Sequence, residues 1–534
     1  MSPRHTSGLG SIPRGAATHE CAPPPSPEAD EGCPALIMGR DGSVRARLDR
    51  GENRDLPGAE IVWRDSRMPR IATLLVVGLF SLIIPASMWA TPPNILLVLT
   101  DDLGWRDLGC YGSTFYETPS IDRLASQGLR FTDAYAAATV CSPTRAAILT
   151  GKTPARLHLT DFIRGLDCPY AALTPPDWPR YLSHAEFTLA EMLKQVGYET
   201  FHFGKWHLGR EEHFPVTQGF DHSIAESAWG PGGYFYPWPN VKNMTGEEGD
   251  YFTDRLTDEV IRRLERSHDR PFFMYVAYST PHRPTQAKEE LTRKYAAKLT
   301  SEHVQRNPVN AGMIHSLDEN VGRIMQSLDD LQLADETLFI FTSDNGGNHY
   351  ADRPQKTNNA PLRGGKGAAY EGAYRVPLII RWPGNVPGGI ETSEPVSSID
   401  FFPTLQALTG QERAEGQKLD GVNLLPLLLE QRPLGRNALF WHYPHYHRGG
   451  ASPHGVIRMG RFRLIEHFDG TQAELYDIEN DIGETVNLVY SMPEKSKQLL
   501  NELRRWRHEV GAQMPTLNPN YDPDRLNEWR FFTE

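Results

Sequence analysis

Two segments of this chain, Asn94-Ile95-Leu96-Leu97-Val98-Leu99-Thr100 and Leu338-Phe339-Ile340-Phe341-Thr342, are almost continuously apolar, and both run straight toward carboxylates. The first leads into Asp101-Asp102 and the second into Ser343-Asp344-Asn345-Gly346-Gly347. A strand without polar alternation is buried on both faces, which is the condition of a parallel sheet covered by helices. Two shorter candidates repeat the arrangement. Tyr198 to Phe203 precedes Gly204-Lys205-Trp206-His207-Leu208-Gly209, and Phe272 to Tyr278 precedes Ser279-Thr280-Pro281-His282. Between the strands, Leu256, Val260, Ile261 and Leu264 share one helical face, as do Leu317, Val321, Ile324, Leu328 and Leu331. The alternation predicts an α/β fold with a large, mainly parallel sheet flanked by helices. Ligands in such folds bind beyond the carboxyl ends of the strands, where all four segments place polar or charged groups.

The ends of the chain read differently. Residues 1–67 are rich in Pro, Gly, Arg and Ser and carry no apolar period, as expected of a disordered extension or of sequence ahead of the true start. Met68-Pro69-Arg70, the apolar run from Ile71 to Ile84, and Pro85-Ala86-Ser87-Met88-Trp89-Ala90 together read as a secretory signal peptide over residues 68–90. The run falls short of the about 20 residues of a membrane span, with an uncleaved anchor as the alternative. The expected location is therefore periplasmic or secreted, with no stable membrane association after cleavage. Beyond about residue 430 come short strand candidates, Val456-Ile457-Arg458, Phe462-Arg463-Leu464-Ile465 and Glu474-Leu475-Tyr476-Asp477, then a helix from about Pro493 to Val510. They predict a small C-terminal antiparallel sheet plus helix, and Pro433 and Gly435 suggest a boundary between a catalytic domain (91–432) and a C-terminal subdomain (433–534). A net charge of −12 without a long basic stripe argues against nucleic acid as a partner, yet permits a locally basic pocket.

The stretch from Cys141 to Lys152 reads as the start of a helix, with Pro143 suited to a first helical position and Gly151 ending it. Cys141 then lies near the positive end of the helix dipole with Arg145 about one turn away, which favours an anion or a nucleophile. Gly151-Lys152-Thr153 imitates the end of a nucleotide P-loop, but that motif needs glycine where Ala146 stands. Asp101, Asp102, Asp344 and Asn345 offer oxygen donors only, a set for Ca²⁺ or Mg²⁺ and not for zinc. Arg145, Lys205, His207, His282 and Lys366, the last within Leu362-Arg363-Gly364-Gly365-Lys366-Gly367, would surround a tetrahedral anion with donors. His442, His445 and His447 suggest a loop reaching over the pocket in preference to a metal tract. The aromatic, glycine-rich segment from Trp229 to Trp238 suits stacking on sugar rings, and Asn243-Met244-Thr245 matches a glycosylation sequon.

Cys-x-Pro-x-Arg followed by Thr-Gly-Lys resembles the signature of formylglycine-dependent sulfatases. The order Asp-Asp, Cys-x-Pro-x-Arg, Gly-Lys-Trp-His-Leu-Gly, Pro-His, Asp-Asn-Gly, Gly-Lys-Gly resembles the arylsulfatase A type within the alkaline phosphatase superfamily, from Asn94 to about Leu488. Thr144 departs mildly from the serine common in the signature. The resemblance implies an alkaline phosphatase-like fold and a sulfuric-ester hydrolase acting on sulfated carbohydrates, with aryl sulfates as surrogate substrates. It implies that a formylglycine-generating maturation enzyme oxidises Cys141, whose hydrate is held by Arg145 and one divalent cation, Ca²⁺ ahead of Mg²⁺. Asp101, Asp102, Cys141, Asp344 and Asn345 are the implied metal ligands. By the same resemblance one hydroxyl attacks sulfur with His282 protonating the leaving oxygen. The second hydroxyl, deprotonated by His207, expels sulfate while Lys205 and Lys366 neutralise its oxygens. Two alternatives stand beside this: a phosphodiesterase or phosphonate-ester hydrolase of the same superfamily, and a non-catalytic glycan-binding relic if Cys141 is unconverted. With Cys141 consumed, Cys110 and Cys168 could pair or stay free.

Overall fold

The computed structural model describes residues 92–531 apart from 267, 350–356 and 527. The expected extension of residues 1–67 and signal peptide of 68–90 lie outside the described residues.

An eight-stranded sheet forms the centre, in the order Ile390–Thr392, Leu129–Phe131, Leu378–Arg381, Thr337–Ser343, Asn94–Thr100, Phe272–Ala277, Glu199–Lys205 and His222–Ser227. Only Leu378–Arg381 runs against the rest, so the sheet is mainly parallel. The Asn94 strand lies between two parallel partners and is buried on both sides, which explains its unbroken apolar sequence. Alternation divides its side chains. Ile95, Leu97 and Leu99 join a core layer with Ala146, Ile148 and Leu193, whereas Leu96 and Val98 pack with Leu256, Val260, Leu317, Val321 and Ile324. The second set belongs to the helices Phe252–Leu264 and Pro308–Asp330. Ile261 and Leu331 fall outside that buried face; Leu331 is the C-cap of its helix and 37% exposed. Each fully buried Leu or Val contributes about 1.5–3 kcal/mol.

Strand register brings the functional ends level. Thr100 pairs with Ser343, and both Leu99 and Gly204 pair with Ala277. Past those positions Asp101 N donates to the Thr280 carbonyl (3.2 Å) and Asp344 N to the Thr100 carbonyl (3.1 Å). Gly204, at φ 90°, lies so close to the next strand that a Cβ would meet the Ala277 carbonyl oxygen at 2.4 Å. Only glycine fits there.

The helix expected at Cys141 spans Cys141–Thr150 and ends at Gly151 with φ 66°. It begins two residues before the position read from Pro143, because a proline is tolerated anywhere in a first turn whose N–H groups lack helical partners.

The C-terminal strands Leu439–Tyr443, His454–Met459, Phe462–His467 and Glu474–Asp477 form a four-stranded antiparallel sheet. Leu499, Leu503, Trp506 and Val510 of the helix Pro493–Val510 cover one face. The other face meets Tyr135 and Tyr374 next to the large sheet, so the small sheet backs the active-site side of the molecule.

Candidate active site

Three buried carboxylates and three buried cations meet beyond the carboxyl ends of the central strands. Asp344 Oδ2 accepts from Arg145 Nε (2.9 Å) and Nη2 (2.7 Å). Asp101 Oδ2 accepts from Lys205 Nζ (2.5 Å), and Asp102 Oδ1 from Lys366 Nζ (2.6 Å) and Asn345 Nδ2 (2.9 Å). Asn348 Nδ2 reaches Asp102 Oδ2 at 3.3 Å. Burial raises Asp344 to about 6, reinforced by the Asp101 charge and opposed by Arg145. Burial also acts to raise Asp101, but Lys205, His282 and Arg145 outweigh it and hold that carboxyl well below the usual range. Asp102 and His207 adopt the left-handed conformation, φ 64° and 60°, which Asp and His tolerate better than most residues.

The residues fit a hard cation. Asp101 Oδ1, Asn345 Oδ1 and Asn348 Oδ1 are buried without a hydrogen-bond partner, a cost of about 1–3 kcal/mol each if nothing binds them. Ligand atoms of Asp101, Cys141 and Asp344 lie within 4.8 Å of one another, as do those of Asp101, Asp102 and His282. Oxygen dominates the donors, as Ca²⁺ and Mg²⁺ require.

Cys141 is the first residue of its helix and fully buried. Its Sγ lies 3.2 Å from His207 Nδ1. Burial raises its thiol pKa, against the pull of Lys205 and Lys366. His207 Nε2 donates to the Ile163 carbonyl. Burial, then Lys205 and Arg145, hold this imidazole well below its usual pKa. It is therefore neutral, with the Nδ1 lone pair turned to residue 141. His282 Nε2 stands 3.8 Å from Asp102 Oδ2 and its Nδ1 donates to the Arg283 carbonyl (2.9 Å). Tyr234 Oη pins the same turn by donating to the carbonyls of Ser279 (2.5 Å) and His282 (3.1 Å). Burial pushes His282 down to about 4, although Asp101 and Asp102 pull upward. Above these groups opens a cavity of about 590 Å³.

All ten residues singled out in the sequence, Asp101, Asp102, Cys141, Arg145, Lys205, His207, His282, Asp344, Asn345 and Lys366, are drawn into this one cluster. Asn348 is an addition that sequence reasoning missed; its signal is the polar run continuing past Asp344-Asn345. Of the three C-terminal histidines only His447 lines the cavity, with its ring where a Cβ on Gly367 would sit. His442 bonds the Gln513 carbonyl (2.7 Å) and His445 the Thr160 hydroxyl (2.8 Å), and neither lines the cavity. From the aromatic segment Trp229 lines the cavity, whereas Tyr234 and Trp238 are buried and Phe235 and Tyr236 partly exposed. Cys110 and Cys168 are both free thiols.

An acidic cradle neutralised by buried cations, beside a cysteine at a helix start and at the carboxyl edge of a parallel sheet, suits the binding of an anionic ester. The comparisons with known proteins make the family specific. Residues 93–411 match the sulfatase family and residues 365–510 the C-terminal region of N-sulphoglucosamine sulphohydrolase. A sulfatase of Formosa agariphila is 32% identical over 78% of this chain and 88% of its own length, and human arylsulfatase A 33% over 78% and 87%. The crystal structure of Ps i-CgsB, also solved in complex with k-i-k-neocarrahexaose, superposes with a TM-score of 0.66 at 30% identity, covering 81% of this chain and 95% of that one. The chain belongs to the sulfatase family, sulfuric-ester hydrolases of the alkaline phosphatase superfamily.

Proposed function

We propose that the protein is an exported, formylglycine-dependent sulfatase that removes sulfate from carbohydrates, with aryl sulfates as surrogate substrates. The observation that carries this reading is the position of Cys141: a fully buried thiol at a helix start, 3.2 Å from a neutral imidazole and beside two carboxylates and two lysines. An unmodified thiol whose pKa is raised by burial is a poor nucleophile, so conversion by a maturation enzyme accounts for the placement. As formylglycine hydrate, residue 141 would supply one hydroxyl to attack sulfur and a second through which sulfate leaves.

The remaining roles belong to residues already in place. Arg145 orients Asp344 and, from 3.9 Å, faces Asp101. Lys205 and Lys366 hold positive charge where the sulfate oxygens would gain negative charge. His207 Nδ1 takes the proton from residue 141 in the release step, and His282 delivers one to the leaving oxygen. His282 must be protonated for that task, and the negative charge of a bound sulfate ester raises its pKa toward that state. Asp101, Asp102, Asp344 and Asn345 would hold Ca²⁺, or Mg²⁺ in its place, and such an ion would polarise the sulfate oxygens. The carbohydrate preference is supported by the relative solved with a neocarrahexaose and by the aromatic wall at Trp229.

Peptide mass spectrometry over Cys141, combined with turnover of aryl sulfate against aryl phosphodiester, tests the reading. Formylglycine and a preference for the sulfate are expected. An unmodified cysteine, or a faster phosphodiester reaction, would remove it.

A further inference from the structure

Residues 511–531 lie beyond both family matches, which end at 411 and 510. They nevertheless return to the active site. Thr516–Leu517 pairs with Leu173–Thr174, and Arg530–Phe531 with Leu166–Asp167, both antiparallel. Asn518 Nδ2 donates to the carbonyls of Pro169 (2.9 Å) and Ala171 (2.7 Å), and Arg530 Nε to Asp167 (2.6 Å). Arg525 stacks 3.4 Å from the Tyr170 ring centre. These bonds fasten the strap to the segment whose Ile163 carbonyl orients His207 and whose next residue is Arg164.

The strap delivers Phe531, 52% exposed, into the cavity wall. Arg164 faces the Phe531 ring at 6.0 Å and the Trp229 ring at 4.8 Å, and Arg210 lies over Trp229 at 4.0 Å. Arg448, also in the wall, faces Trp529 of the strap at 5.8 Å. With Lys242 and Arg283 the wall outside the catalytic cluster holds five cations against Glu211 and Glu226, and burial raises the pKa of Glu226. A single sulfate ester is already met by Lys205 and Lys366 below. Guanidiniums stacked on aromatic rings combine in-plane anion donors with apolar faces that suit a sugar ring.

We propose that the strap, Arg164, Arg210, Trp229 and Arg448 form a second anion subsite for a neighbouring sugar unit bearing its own charged group, so that the substrate is a polyanionic saccharide. The proposal rests on the sulfatase reading and names the substrate class of the same site.

Calorimetric titration of the full chain with sucrose octasulfate, a multiply sulfated disaccharide, and with inorganic sulfate tests it without requiring turnover. Sucrose octasulfate should bind at least about tenfold more tightly than sulfate, with an affinity that falls steeply from about 50 to 300 mM salt. Arg164→Gln and Phe531→Ala, both at exposed side chains, should each weaken it by about fivefold while moving sulfate by less than about twofold. Equal binding of the two ligands, unchanged binding of the disaccharide in both variants, or proportional losses for both ligands would overturn the subsite. Absence of aryl sulfate hydrolysis alongside the expected binding would instead count against the catalytic reading, so the two failures are separable.

Discussion

Cys141 Sγ and His207 Nδ1 lie 3.2 Å apart, and the other nitrogen of that imidazole is committed to the Ile163 carbonyl. One hydrogen bond thus fixes the tautomer of the imidazole that faces residue 141. His207 itself has a left-handed backbone, φ 60°. Substituting either residue therefore tests the release step proposed for this site.

In Cys141→Ser a single hydroxyl remains, with Lys205, Lys366 and the carboxylates still in place to bind substrate. The variant should react at most once and then stall as a sulfate ester on residue 141. Intact-protein mass spectrometry after incubation with excess aryl sulfate should find one added sulfo group. Sustained turnover would mean that water displaces sulfate directly.

Replacing His282 by Ala should slow esters of poor leaving groups, such as sugar alcohols, by about 10²–10⁴-fold and activated aryl sulfates far less, because only the former need a proton in the transition state. Steady-state rates on a graded series of aryl sulfates read this as a steeper dependence on leaving-group pKa. Equal losses across the series would assign His282 another role.

The orphaned oxygens of Asp101, Asn345 and Asn348 predict stabilisation by a divalent cation. Ca²⁺ at about 100 times its Kd should add about 2.7 kcal/mol to the stability of the chelator-treated protein and raise its Tm. Asp344→Ala should abolish both that shift and activity while leaving a folded protein. Full activity of this variant in chelator would take the cation out of the mechanism.

Asp161 lies two residues before Ile163, the residue whose carbonyl accepts from His207. Its Oδ1 accepts from Tyr443 Oη (2.9 Å) and Phe162 N (2.9 Å), and burial raises its pKa to about 7. An unfolded Asp titrates near about 3.9, so between those values the folded state binds the extra proton. Its stabilising contribution is full below about pH 4 and is lost as pH rises through about 7. Asp161→Asn should remove roughly 1–3 kcal/mol of that pH dependence, read as Tm curves of the two proteins converging or crossing between pH 5 and about 8. Parallel curves would show that Asp161 titrates as an ordinary carboxyl.

The amino-acid sequence by itself determined the central strands and the chemistry at their ends. A run such as Asn94 to Thr100 can only be satisfied by burial on both faces, and the carboxylates, lysine and histidines directly beyond such runs are carried to one sheet edge by register. The small sheet and its helix were legible for the same local reasons, from period and turn residues. The short strands His222–Ser227, Leu378–Arg381 and Ile390–Thr392 were not, because their strand conformation comes from neighbours supplied by distant chain and not from their own pattern. The same holds at the site. Residue types could nominate His442, His445 and His447 together, but only tertiary packing decided that His447 reaches the cavity while the other two turn to the Gln513 carbonyl and the Thr160 hydroxyl. Nothing local in residues 511–531 marks them as part of the active-site wall. Their edge pairing with Leu166–Asp167 and Leu173–Thr174 joins positions more than three hundred residues apart, and backbone hydrogen bonds between such segments carry no signature in either sequence.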